Sequence, residues 1–147
     1  MREFDFKKIK SQLLRHEGLN LKPYKDTKGL ITIGAGRCLS TKGISHDEAM
    51  IFLKNDIDEA AESVERALPW TVDLSEDHFL ILVNMCFQMG VSGLLGFRKF
   101  LSYLQKKRFD KAGEEMLNSK WAKEDSPSRA FELYSILTLK PSEARNE

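Results

Sequence analysis

The sequence predicts an α+β fold, mostly helical, with a small N-terminal β-hairpin lobe and a helical C-terminal lobe. Three observations predict it. Apolar residues recur at helical spacing through most of the 147 residues. One stretch, Pro23 to Gly36, changes to a strand-turn-strand texture. Another, Phe79 to Met89, is apolar on nearly every side, as a helix in the middle of a bundle is. The length suits one domain with a substantial core. Within residues 1–147 the pattern sets a small lobe at about 17–45, a connecting helix at about 46–67 and a helical lobe at about 70–138, joined by an N-terminal helix at 5–16.

In chain order, Phe6, Ile9, Leu13 and Leu14 trace the apolar face of the first helix, and Glu17 continues that row four residues after Leu13. Gly18 ends it. Tyr24, then Lys25 to Gly29, then Leu30 to Ile33 reads as a hairpin, with Gly29 able to take the positive φ of a tight turn. In the second strand Ile31 and Ile33 face one side and are expected to pack. Leu30, Thr32 and Gly34 face the other, with the Thr32 hydroxyl open to a cleft. Ser45 and Glu48 form an S-x-x-E capping box. It opens a long helix whose stripe is Ala49, Leu53, Ile57, Ala60, Val64 and Ala67, stopping before Pro69. After the apolar segment that meets Gly90 come a turn near 92–95 and helices at about 97–106, 108–118 and 127–138. The tail from Pro141 to Glu147 lacks apolar periodicity.

Composition is that of an ordinary globular protein: 41% hydrophobic and 31% charged, with net charge +1. That balance makes no demand for a nucleic-acid partner. Basic residues predominate up to Lys42 and acidic ones from His46 to Asp77, with a second basic group from Arg98 to Lys111. Such a division makes solvated helix faces of opposite sign, or attraction to an anionic polymer such as a bacterial wall. No apolar run is expected to reach the length of a membrane span, and the N-terminus lacks the pattern of a secretory signal. Cys38 and Cys86 stand far apart without metal-ligand spacing and read as free buried thiols of a reducing compartment, with a disulfide between them as the alternative.

The chemistry-bearing pattern is the pair Glu17 and Asp26. Glycoside hydrolysis uses two carboxyl groups, one protonated to assist the leaving oxygen and one ionised to support water or the developing cation. A carboxyl ending an apolar stripe is expected to be desolvated and to keep its proton; one on a hairpin turn is wetter and stays ionised. Thr32 could hold the attacking water beside Asp26. Both acids also have plain readings, since Glu is common near helix ends and Asp favours turns through local hydrogen bonds. The pair Gly34-Ala35-Gly36 lacks the further motif residues of a phosphate loop and follows a hairpin strand, so phosphate binding is rejected.

Glu17-Gly18-Leu19, Tyr24-Lys25-Asp26-Thr27, Gly29 and Thr32-Ile33-Gly34-Ala35-Gly36, with the spacing E-x8-D-x5-T, resemble the active-site region of the T-even bacteriophage-type lysozymes (endolysins), a glycoside hydrolase family. A second block, Asn84 to Gly90 followed by Gly96-Phe97, agrees in order and spacing, as do Leu104 to Asp110, Ser119-Lys120-Trp121 and Arg129-Ala130. The resemblance spans roughly residues 10–132. It implies a two-lobed lysozyme-like fold and a muramidase cutting the β-1,4 bond between N-acetylmuramic acid and N-acetylglucosamine in peptidoglycan. It further implies inversion, no metal or cofactor, and a monomer without membrane insertion that waits in the host cytoplasm for a holin and then acts on the wall in the periplasm. Glu17 would be the general acid, Asp26 the residue assisting water and Thr32 the one positioning it, in a cleft between the lobes. Phe87 and Gln88 would border the substrate, and Arg129 would help fix Glu17.

Departures accompany the match. Arg37 replaces the family's histidine after G-x-G, and an arginine beside Glu17 would favour its ionised form unless it pairs with another carboxylate. Cys38, Phe100 and Glu115 replace cleft residues Leu, Ser and Asn, and the small lobe is about twenty residues shorter. Three other readings compete: a lytic transglycosylase, a non-catalytic wall-binding relative, and a helical nucleic-acid binder resting on the basic groups alone.

Overall fold

The computed structural model describes residues 1–139. The tail from Pro141 to Glu147 lies outside the described residues. Among the described residues, six helices and one three-stranded antiparallel sheet follow in the order α1 (Phe6–Glu17), β1 (Asn20–Lys25), β2 (Ile31–Gly34), β3 (Arg37–Cys38), α2 (His46–Ala67), α3 (Glu76–Leu95), α4 (Arg98–Gln105), α5 (Phe109–Leu117) and α6 (Pro127–Thr138). A short 3₁₀ turn, Pro69–Asp73, precedes α3, and a π turn, Trp121–Asp125, precedes α6. The fold is the α+β, mostly helical one that the sequence predicts. Two compact units divide the chain, one from Met1 to Ile51 and one from Phe52 onward, so the boundary falls inside α2. By its contacts α1 belongs to the first unit, whereas the sequence pattern grouped it with the helical lobe.

In the first unit, α1 starts on Asp5, whose side chain accepts from the Lys8 N–H, and ends where Gly18 turns to φ 73. The sheet has β2 in the middle, pairing Tyr24 with Thr32 on one side and Thr32 with Cys38 on the other. A bulge between Asn20 and Tyr24 takes in Pro23, which has no N–H to give a ladder. The third strand was not foreseen, and it reverses an expectation. Thr32 is the buried residue of β2, at 4% exposure, while Ile31 is 45% exposed. Residues directly opposite on neighbouring strands share a face, so Tyr24 and Cys38 cover Thr32 from both sides, and its hydroxyl donates to the Leu30 carbonyl at 3.2 Å. The apolar stripe of α1 is also corrected: no residue of this helix is buried, and Phe6 is 65% exposed.

The second unit holds the core. Ile81, Leu82, Met85 and Cys86 of α3 pack with Val64 of α2, Phe100 and Leu104 of α4, Met116 of α5, Trp121, and Ala130, Leu133 and Leu137 of α6. Each fully buried aliphatic side chain contributes about 1.5–3 kcal/mol relative to exposure. The ring of Phe97 meets that of Trp121 edge-on, with centroids 5.9 Å apart. Among the expected boundaries, α2 falls on 46–67 and α6 on 127–138. Gly90 breaks the regular helix with φ 77, after which α3 resumes to Leu95.

Two expectations about α3 change. It is not buried all round, since Leu80 and Phe87 are nearly half exposed. At twenty residues it is long and apolar enough, by length and composition, to cross a membrane, contrary to the sequence reading. Six of its side chains are instead buried in the protein core. Along α2 only Ala60 and Val64 of the predicted stripe are buried.

The helix contact of α5 with α6 is set by a missing side chain. A methyl on Gly113 would lie 2.8 Å from Cε2 of Tyr134 and 3.3 Å from Cγ2 of Thr138. Gly113→Ala gains about 1 kcal/mol of helix propensity, but overpacking costs about 1–3 kcal/mol. We predict that steric crowding wins and that the variant loses about 1 kcal/mol or more in denaturant unfolding; a stabilised variant would show that Tyr134 moves freely aside.

Candidate active site

The three predicted catalytic residues lie in the first unit and are supplied by one helix and one sheet. Glu17 is the last residue of α1. Gly18 closes the helix with its N–H on the Leu14 carbonyl at 3.0 Å, and two residues after Gly18 the chain enters β1 at Asn20, the partner of Gly34. That short link brings the helix end to the turn between β2 and β3. The Glu17 carboxyl lies over Gly36: a Cβ there would be 2.8 Å from Oε2 and 3.2 Å from Cδ. Glu17 is exposed rather than desolvated, so its expected environment is corrected. The periodicity identified a face of α1 without determining what covers it.

Asp26 sits at the start of the hairpin turn, half-buried. Its Oδ1 accepts from the Lys28 N–H at 2.8 Å and the Leu30 N–H at 2.9 Å. Its main chain pairs as well, N–H to Leu30 and carbonyl from Gly29. The plain reading of Asp26 as a turn former therefore holds, and Oδ2 remains for other work. Thr32, one residue beyond Ile31 in the middle strand, uses its hydrogen locally on Leu30 and keeps its oxygen lone pairs.

Arg37 has the alternative partner that the sequence made conditional. Its guanidinium is bidentate to Glu48, with Nη1 to Oε1 at 2.9 Å and Nη2 to Oε2 at 2.7 Å, and Nη1 also donates to the Gly43 carbonyl at 3.0 Å. Glu48 completes the capping box at the same time: it accepts from the Ser45 N–H at 2.8 Å, while its own N–H donates to Ser45 Oγ at 3.1 Å. The Arg37 hydrogen bonds, then those from Ser45, hold the Glu48 carboxyl down to about 2. Neighbouring Cys38 is half-buried, and its thiol is lowered by hydrogen bonds from Thr41.

The remaining predicted residues belong to the second unit. Phe87 and Arg129 line one groove of about 660 Å³, together with Leu53, Ile57, Leu80 and Asn84. Arg129 Nη1 donates to Asn84 Oδ1 at 3.4 Å. Gln88 is exposed and does not line that groove. Its Oε1 accepts from the Trp121 indole N–H at 2.9 Å and its Nε2 donates to Ser126 Oγ at 2.6 Å, tying α3 to the π turn. Phe100, read as a cleft substitution, is a core residue, 1% exposed. Sequence reasoning missed Asn84 as the partner of Arg129 and Gly36 as the contact of Glu17. A glycine pair after a strand was the available signal for the latter, because glycine permits close approach as well as phosphate binding.

Two stability predictions follow from these bonds. Because Glu48 titrates at about 2 when folded against an ordinary 4.5, its pair stabilises the protein fully above pH about 4.5 and is lost as pH falls towards 2. The melting-temperature advantage of wild type over Glu48→Gln should follow that course; an advantage unchanged at pH 2 would show that Arg37 is not its source. For Asp26, the Asn variant keeps an acceptor for both amides and should unfold within about 1 kcal/mol of wild type, whereas Asp26→Ala strands them and should lose about 1–3 kcal/mol. Equal losses by both variants would contradict the turn role.

Comparison with known proteins identifies the family. The family model described as phage lysozyme matches residues 14–132. Two proteins of Dictyostelium discoideum are similar over most of their lengths. "Probable T4-type lysozyme 1" is 27% identical over an alignment covering 88% of this chain and 92% of that protein. "Probable T4-type lysozyme 2" is 28% identical, covering 87% and 92%. The family match takes in the helix end, the hairpin and the apolar helix from which Glu17, Asp26, Thr32 and Phe87 come, and on it the chain belongs to the phage lysozyme family of glycoside hydrolases.

Proposed function

We propose that this lysozyme hydrolyses the β-1,4 bond between N-acetylmuramic acid and N-acetylglucosamine in peptidoglycan by acid-assisted attack of water, with inversion, and that it serves host-cell lysis as an endolysin. The observation that carries the reading is the seating of the Glu17 carboxyl on the turn of the same small sheet that bears Asp26 and Thr32. Glu17, protonated, gives its proton to the glycosidic oxygen as the bond to the anomeric carbon breaks. A water attacks that carbon and loses a proton to Asp26, whose Oδ2 is left over from the turn. The Thr32 oxygen accepts a hydrogen bond from the water's other O–H and so orients it, since the threonine's own hydrogen is already donated to Leu30.

Phe87 and Arg129 are proposed to meet the substrate side through the groove they share. Gln88, which lies outside that groove, is proposed to meet the substrate through the one N–H and one lone pair that its bonds to Trp121 and Ser126 leave. No cofactor enters the scheme. The enzyme acts as a monomer on the wall in the periplasm after a holin-type pore releases it from the host cytoplasm. The reading as a non-catalytic relative drew on Arg37 and on the changed cleft residues, and the pairing of Arg37 with Glu48 weakens the first of these grounds.

Turbidity of chloroform-permeabilised Gram-negative cells tests the reading. Wild type should clear them, with Glu17→Gln and Asp26→Asn each slower by about 10²–10⁴-fold, the range for lost acid–base assistance. Equal clearing by wild type and Glu17→Gln would sink the mechanism. Products should carry reducing muramic acid ends, released first as the α anomer in proton NMR. Anhydro-muramic ends would mean a transglycosylase, and first release of the β anomer would mean retention.

A further inference from the structure

Resting on the reading of Glu17 as general acid, we propose that Gly36 is a positioning residue: its bare α-carbon is the seat that holds the Glu17 carboxyl in place. Six glycines adopt positive φ among the described residues. At five of them, Gly18, Gly29, Gly34, Gly43 and Gly90, a Cβ would meet nothing within 4 Å, so backbone conformation alone accounts for glycine there. Gly36 differs. At φ 78 its Cβ would sit 2.8 Å from Oε2, 3.2 Å from Cδ and 3.4 Å from Cγ of Glu17, so the last three side-chain atoms in the line to the acid pack on the glycine.

A seat is needed because α1 buries none of its residues. A glutamate on an exposed helix end turns about three torsions, whereas a general acid must stay within hydrogen-bond reach of the leaving oxygen. The turn itself is fixed at both ends. Gly34 pairs with Asn20, three residues beyond Glu17. Arg37 is held by Glu48 and Gly43 on the other side. The clamp thus fixes the seat and directs the adjoining cation to a carboxylate other than Glu17.

The full chain carrying Gly36→Ala is compared with Gly90→Ala, which shares nearly the same φ, 77 against 78, but has open space at its Cβ. Both should lose comparable thermal stability. Gly36→Ala alone should lose kcat for wall clearing, by about 10²-fold for a displacement of the order of 1 Å, with KM little changed. In ¹³C-carboxyl NMR, which needs no activity, the Glu17 resonance should move in Gly36→Ala and stay in Gly90→Ala. Equal kcat in the two variants, or an unmoved Glu17 resonance, would overturn the proposal. Should wild type clear no wall while the resonance moves, the seat stands and the hydrolase reading fails. Scalar couplings in the wild type provide a check independent of the Gly36 variant. Glu17 should hold one rotamer where exposed Glu62 averages several, and averaging at Glu17 would refute the seat.

Discussion

The bidentate bond between Arg37 and Glu48 is the contact on which the small unit depends. It joins the shortest strand of the sheet to the first turn of α2, and it does so through a carboxylate that is already the capping residue of that helix. One side chain therefore satisfies an orphan N–H at the helix start, fixes the loop through the Gly43 carbonyl, and neutralises the only cation in the turn. A lysine could not replace Arg37 in this geometry, because a point charge cannot form the two parallel bonds of the guanidinium fork. With β3 held, β2 becomes a middle strand, and Thr32 acquires neighbours on both sides.

The consequence for the chemistry is a different division of labour from the one suggested by apolar periodicity. The expected contrast was between a desolvated acid and a wet carboxylate. Glu17 is instead exposed and packed by contact with a glycine, while Asp26 is the more enclosed of the two, with one oxygen engaged by two backbone amides. Local main-chain geometry, rather than burial in an apolar pocket, sets where each carboxyl points. That arrangement suits precise placement, because backbone atoms held by a sheet move less than the tips of exposed side chains.

Much of the helical framework was legible. Ser45 with Glu48 announced the start of α2, Pro69 its end, and Gly90 the break in α3, because capping, missing N–H groups and positive φ are properties of single residues and their near neighbours. The family and the three catalytic candidates were legible too, through blocks that match in order and spacing. The two-residue strand Arg37–Cys38 was not. A strand that short has no periodicity of its own and exists only because β2 offers it a ladder and Glu48 holds its first residue. Missing it led directly to assigning the wrong packed face to Ile31 and Ile33.

Sequence by itself determined where most of the helices lie, that Glu48 would cap α2, and the family to which the chain belongs. Each of these depends on interactions within a few residues or on a linear pattern. Only the tertiary structure decided that Arg37 spends its charge on Glu48, that Thr32 is covered by Tyr24 and Cys38, that Gln88 serves the Trp121 indole, and that Glu17 rests on Gly36. Those contacts join residues six to thirty-three positions apart, and whether they form depends on how the elements pack. A periodic pattern identifies the face of an element, and the atoms that reach that face settle its environment.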